Sequence, residues 1–196
     1  MNEILRRRRD IIGSPKRGLL FHKTSIEMLA GECLDTGIEI LQEDLSVTVL
    51  LDYTSTNNPT TSGSPGNIYK LLQMGTTREL CIGKYNGTDS ELSIWWMPSS
   101  NADRSVLTGV TATPGRKRIA VIHEANSNNI TVYAKMDNGT LYTFTKTKTF
   151  SPTNKKLSVG YVASTTTQAG VPSGTLNVIS VYNRILRSEE INTFFK

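Results

Sequence analysis

The chain carries very little of what metal centres, disulfide frameworks and catalytic dyads are made from. In 196 residues it has two cysteines, Cys33 and Cys81, and two histidines, His22 and His123. The histidines lie far apart in sequence and no Cys-x-x-Cys pair exists, so neither a zinc site nor a redox site has its spacing. Both thiols read as small apolar side chains on strands, reduced rather than joined, with a single disulfide as the open alternative. Long apolar runs are also missing: none approaches the ~20 residues that cross a bilayer. No apolar stretch follows the Arg6–Arg9 run as a secretory signal demands, which predicts a cytoplasmic protein or one that leaves within a larger particle. A Gly-rich phosphate loop and a serine elbow are likewise absent. No residue is therefore assigned a catalytic role.

What charge there is sits unevenly. Residues 1–23 hold seven Lys or Arg and two acids, a net of +5, while the other 173 residues hold 15 of each sign. The basic character thus belongs mainly to an N-terminal arm, residues 1–17, with six bases and two acids, and the body, residues 18–196, is within one charge of neutral. Arg6, Arg7, Arg8, Arg9, Lys16 and Arg17 are the candidate docking residues, suited to an acidic partner surface. A solvated tail is the alternative reading. Within the arm, Ile4, Leu5, Ile11 and Ile12 suit a short helix capped by Asn2 and stopped at Gly13.

After Gly18, strand and turn signals alternate and helical periodicity all but vanishes. Segments 46–53, 68–74, 79–84, 91–97, 118–123, 130–136, 140–146 and 157–162 are rich in β-branched and aromatic residues at period two. Asp137-Asn138-Gly139 between two of them predicts a hairpin, since Asn-Gly tolerates positive φ. Many short strands with frequent turns mean an all-β sandwich or jelly roll. Ser55–Asn67, Pro98–Arg104 and Ala163–Gly174 are polar and predict long loops, candidate recognition surfaces at the ends of the sandwich.

The C-terminal stretch is the most specific. Leu176, Val178, Ser180 and Tyr182 alternate with Asn177, Ile179, Val181 and Asn183, both sets part apolar, so this strand is expected inside a sheet and covered on both sides. Ser188 suits an N-cap with Glu189 and Glu190 in the first turn. Ile191, Phe194 and Phe195 then make an apolar stripe for docking a short helical turn. The run Val178 to Ile191, with its Tyr182-Asn183-Arg184 and Ser188-Glu189-Glu190-Ile191 segments, resembles the closing strand of concanavalin A-like lectin/glucanase domains of the laminin G-like branch. Leu34-Asp-Thr-Gly-Ile38, ahead of the 45–53 strand, is similar to an early segment of the same domains. The resemblance covers about residues 19–196 and implies a jelly-roll body with a lectin-like function. The Met-Asn-Glu-Ile-Leu-Arg-Arg-Arg-Arg start resembles virion accessory proteins of bacteriophages of gut Bacteroidales, which implies a capsid, fibre or tail location for a protein docked through its arm.

Fold does not fix function, so the side chains must carry the rest. Glucanases of this resemblance use two carboxylates on one strand, in a pattern like Glu-x-Asp-x-x-Glu. Here the nearest acids are Asp89 and Glu91, Glu43 and Asp44, and the capping pair Glu189 and Glu190, so hydrolysis is not expected. Calcium through Asp89, Asn101 and Asp103 stays open, because hard cations need convergent oxygens that spacing alone does not reveal. Arg116-Lys117-Arg118 reads as a solvated cluster beside a turn. Trp95-Trp96 is the sharpest signal: parity with Leu92 and Ile94 sends Trp96 to the core and leaves Trp95 on the other face. An exposed indole stacks on the C–H face of a sugar. Trp95, with Tyr133 and Tyr142, is therefore the candidate glycan-binding set, and covering a subunit contact is the alternative for Trp95. The reading is a noncatalytic binding or decoration module; a freestanding lectin and a glycoside hydrolase are the alternatives.

Overall fold

The computed structural model describes residues 18–39, 45–56, 69–74, 80–85, 90–96, 103–137, 139–147, 156–160 and 171–196. The basic arm, with Arg6, Arg7, Arg8, Arg9, Lys16 and Arg17, lies outside them, as does most of the three predicted long loops. Chain order within the described residues gives β1 (Leu19–Met28), β2 (Leu34–Glu39), β3 (Val47–Ser55), β4 (Tyr69–Met74), β5 (Leu80–Lys84) and β6 (Glu91–Trp96). There follow β7 (Asp103–Thr111), β8 (Gly115–His123), β9 (Asn129–Met136), β10 (Leu141–Thr147), β11 (Lys156–Val159), β12 (Gly174–Tyr182) and the helix α1 (Ser188–Phe194).

These strands form two six-stranded antiparallel sheets, ordered β1-β12-β3-β8-β9-β10 and β2-β11-β4-β5-β6-β7. Apolar residues on the facing sides fill the space between, as a β-sandwich requires. Val49, Leu51, Tyr53, Ile119, Val121, Val132 and Ile179 come from the first sheet and Leu72, Ile82, Leu92, Ile94, Leu107 and Val159 from the second. The predicted all-β sandwich is the observed one.

Two strands were not expected. β2 uses the Leu34–Ile38 segment, with Leu34 and Ile38 packed on the core. β7 begins inside what the sequence assigns to a polar loop; its pairing with β6 shifts between Glu91 and Ser93, and such a bulge blurs the period-two signal. β12 lies between β1 and β3 as expected, but its alternation is broken. Leu176 pairs with Tyr53 and Val178 with Asp52, so Asn177 is an extra residue. The bulge turns Leu176 inward beside Ile179 and Val181, whereas uninterrupted alternation placed it with Val178 and Ser180. Asn177 donates instead to Asp52 Oδ1 and Thr54 Oγ1, at 3.0 and 2.8 Å.

α1 packs on the outer side of the first sheet. Ile191 and Phe195 join Leu186, Leu50 and Ala120 in a second apolar cluster, with Tyr133, Tyr182 and Phe194 at its border. The cap differs from the expected one. Arg187, not Ser188, occupies the N-cap, and its backbone N–H donates to Glu190 at 2.9 Å. Arg184 also bonds Glu190 through both terminal nitrogens, at 2.9 and 2.6 Å, and holds that carboxyl down to about 2. At the other end Lys135 Nζ donates to Phe195 O at 2.6 Å, a cation where the helix dipole favours one.

The Arg116–Lys117–Arg118 run is tied into the sheet, contrary to the solvated cluster expected. Arg116 forks onto buried Asp52, with Nη2 to Oδ2 at 2.6 Å. Arg118 reaches Phe194 O at 3.4 Å. Lys117, 1% exposed and paired with Tyr53 across the ladder, turns inward, and its Nζ donates to Thr113 O at 2.6 Å and Gly115 O at 3.4 Å. It thereby secures the crossing from β7 in one sheet to β8 in the other. Burial pulls its ammonium down to about 8, against the opposing pull of Asp137. Because this folded value lies below the ordinary one of 10.5, the unfolded chain binds more protons between the two. Burying the charge costs stability below pH 8, and the cost is relieved as pH rises toward 10.5. We therefore expect wild-type thermal stability to rise relative to Lys117→Met between pH 8 and 10, by about 2 kcal/mol, as read from paired melting curves.

Both outer strands of the first sheet carry features that disfavour further pairing. Ser25 on β1 has φ of 57°, an interruption of the regular strand. On β10 the buried Lys146 points inward and donates to Ser105 on β7 at 2.9 Å.

Candidate functional site

The outer side of the second sheet carries the candidate site. Alternation that sends Leu80, Ile82, Leu92 and Ile94 into the core sends Cys81, Gly83, Ser93 and the position of Trp95 outward. The ladder sets these in rows. Ser158, Gln73, Cys81, Trp95 and Arg104 pair successively across five strands, and Gly83, Ser93 and Val106 form the next row. Sheets exposed to water usually put mixed polar side chains here, but Ser158, Gln73, Cys81 and Ser93 are all buried. Polar groups without access to water need partners, and Ser93 has one in Arg104.

Arg104 starts beside Trp95 and runs diagonally across the face. Its Nε donates to Ser93 Oγ at 2.9 Å, and its guanidinium carbon lies 5.0 Å from the centre of the Tyr85 ring. Gly83, opposite Ser93, presents no side chain in that direction. The arrangement holds a cation against an aromatic face, a contact that favours Arg for its flat, weakly hydrated head. Sequence reasoning missed Arg104 because it assigned that position to a loop; only the β6–β7 register brings it to Trp95.

The three predicted aromatics do not form one site. Trp95 occupies the expected outward register position, although its side chain lies outside the described residues. Tyr142 pairs with Ala134, and Tyr133 with Thr143, so the two tyrosines take opposite faces of the first sheet. Tyr133 borders the α1 cluster. Tyr142 packs on the main core, stacks with Phe144 at 6.4 Å, and lies over Gly109, where β7 meets β10.

Other candidates resolve similarly. His123 is buried, with ring nitrogens 3.0 Å from Leu45 O and from Ser127 O, a clamp between two connections rather than a ligand. Glu91, one of the nearest acids, has Oε1 2.5 Å from the Gly109 amide. Cys33 is exposed and Cys81 buried, and they are not joined; burial, then Asp35 and Glu32, push the Cys33 thiol up. Of the calcium set, Asn101 and Asp89 lie outside the described residues, as does the Asp103 side chain. Among the described residues no group of three or more His, Cys, Asp or Glu could hold a metal ion. None of the described helices is long and apolar enough to cross a membrane.

No protein-family model matches the chain, and no curated protein does. Solved structures do. The chain is similar to the CBM40 module of the Ruminococcus gnavus IT-sialidase bound to α2,3-sialyllactose, with a TM-score of 0.58 and 15% identity, over 90% of this chain and 98% of that one. The same module bound to α2,6-sialyllactose gives a TM-score of 0.59 and 14% identity, over 91% and 100%. A leech intramolecular trans-sialidase matches at 0.57 and 16% identity, where 91% of this chain covers 28% of that one. At such identities the likeness establishes the fold alone, a β-sandwich of two antiparallel sheets.

The Tyr142–Gly109 contact gives a direct test of how the two sheets close. Gly109 has φ of 88°, and a Cβ there would sit 2.3 Å from the Tyr142 ring. Gly109→Ala should cost about 2 kcal/mol or more in denaturant unfolding. Combining it with Tyr142→Ala should return part of that loss, because the ring is then gone.

Proposed function

We propose that this chain is a noncatalytic glycan-binding module whose ligand lies on the outer side of the second sheet, across Trp95 and Arg104. The observation that carries the reading is the register that sets an aromatic position and a braced guanidinium side by side on a polar face. Sugars need both, an apolar plate for their C–H face and fixed polar groups for their hydroxyls. The likeness to modules solved with sialyllactose supports the same reading, because it spans the whole of those modules and only 28% of the trans-sialidase. Tyr133 and Tyr142 are not part of this site.

The glycan is expected to be lost with the indole. In titration calorimetry against a panel holding 3′-sialyllactose, 6′-sialyllactose and lactose, Trp95→Ala and Arg104→Ala should each weaken the bound sugar about tenfold or more. Tyr133→Ala should leave affinity unchanged while lowering the melting temperature. Wild-type protein that binds no sugar in the panel, or variants that bind as tightly as it does, would sink the assignment.

A second proposal concerns the arm. Its net positive charge and the resemblance of the first nine residues to phage virion accessory proteins support docking on a larger assembly, with the sandwich presented outward. Deleting residues 1–17 should abolish attachment to purified particles and leave sugar affinity intact. Equal attachment by full-length and shortened protein argues against it.

A further inference from the structure

Buried ionisable side chains in this fold are held by neighbours. Asp52 takes Arg116 and Asn177, and His123 lies between Leu45 O and Ser127 O. Lys117 donates to Thr113 O and Gly115 O, and Lys146 to Ser105 Oγ. Lys84 is the exception. It is 7% exposed, and among the described residues no acceptor meets its ammonium.

The ladder shows where this lysine sits. Leu80, Ile82 and Lys84 share one side of β5, and the first two belong to the main core. Lys84 therefore faces the first sheet, away from the outer side that carries the Trp95 position. It closes β5 opposite Tyr69, the first residue of β4. At that same end Glu91, first in β6, pairs with Thr111, last in β7, and the chain then crosses to β8. Lys117 lies near the start of β8 and also turns inward. One end of the space between the sheets thus holds two buried ammonium groups. Asp52, the one buried carboxylate among the described residues, is on the reverse side of β3 with Arg116.

A buried ammonium without an acceptor is costly, and an anion that meets it removes the cost. Lysine offers a compact point charge with three donors, whereas a planar carboxylate suits the arginine fork. We propose that Lys84 anchors an anion site at this end of the sandwich, which takes the tetrahedral oxyanion of a phosphate or sulfate group. The site is separate from the outer face of the second sheet and does not depend on glycan binding. Lys117, whose ammonium is engaged by two carbonyls, contributes field rather than a contact.

The test compares melting curves of the full-length chain in sodium phosphate, at about 10 mM, with chloride at equal ionic strength. Wild type should melt higher in phosphate, by the shift that a Kd below about 1 mM produces, and Lys84→Met should show no such gain. In chloride alone Lys84→Met should melt above wild type, because it removes an unpaired charge and keeps the volume of the stem. A second readout needs no variant and decides the matter where Lys84→Met does not fold. Reductive methylation with formaldehyde, followed by peptide mass spectrometry, should modify Lys84 more slowly in phosphate than in chloride, with exposed Lys23 unchanged. Glucose 6-phosphate tested beside the inorganic ion separates the two sources of the group: the one that acts at lower concentration is the ligand. Four results overturn the proposal: equal gains in wild type and Lys84→Met, no gain from either phosphate, an equal gain from acetate, or methylation of Lys84 at one rate in both salts.

Discussion

Strand β3 is buried on both of its faces, and the rest of the architecture follows from covering them. Val47, Val49, Leu51 and Tyr53 need one apolar layer, which the second sheet supplies. Leu50, on the reverse side, needs another, and Leu186, Ile191 and Phe195 near the C-terminus provide it. A seven-residue helix has little stability alone, so α1 exists because Ile191 and Phe195 find that side. Thr48 reinforces the arrangement by donating to Arg184 O at 2.8 Å and accepting from the Leu186 amide at 3.1 Å. Asp52, a second polar residue of that face, is also buried, and Arg116 and Asn177 satisfy it. A buried carboxylate without such partners would cost several kcal/mol.

This allocation of cover separates the two outer faces by role. The first sheet spends its outer side on a helix, on an ion pair and on bonds to helix carbonyls. The second sheet has no equivalent element among the described residues, and its outer row is polar with a cation at the end. The stabilising cover thus lies on the first sheet and the candidate site on the second, and the aromatics divide accordingly. Tyr53 anchors the core and donates its hydroxyl to Pro172 O; burial, ahead of Glu27 and Glu32, pushes that hydroxyl up. Tyr85 braces the candidate site.

How much of this could be read in advance depended on how local the signal was. The sandwich class, the hairpin at Asp137–Gly139, the interior place of β12 and the docking of α1 were legible because period-two runs and an i, i+3, i+4 stripe announce them directly. Trp95's outward register was legible for the same reason. β7 and the parity of Leu176 were not, since each turns on a bulge, and a bulge is fixed by pairing rather than by the strand's own residues. Lys117 shows the limit most plainly. A lysine between two arginines reads as solvated, yet its long stem lies buried and its ammonium reaches the carbonyls of Thr113 and Gly115 at the strand's start. The diagonal of Arg104 across to Ser93 and Tyr85 joins three strand segments, and nothing short of their register reveals it. The two tyrosines of the β9–β10 hairpin part company because adjacent ladder positions point to opposite sides.

The ammonium of Lys146, tucked between the layers at the margin of the first sheet, reaches past its own strand. A neighbouring chain that tried to lengthen the sheet by lying against β10 would have to accommodate a strand already drawn toward β7 by Ser105. Interrupted at Ser25, the opposite margin offers no straight template either. At neither margin, then, does the first sheet offer a second copy of the molecule a regular strand to extend.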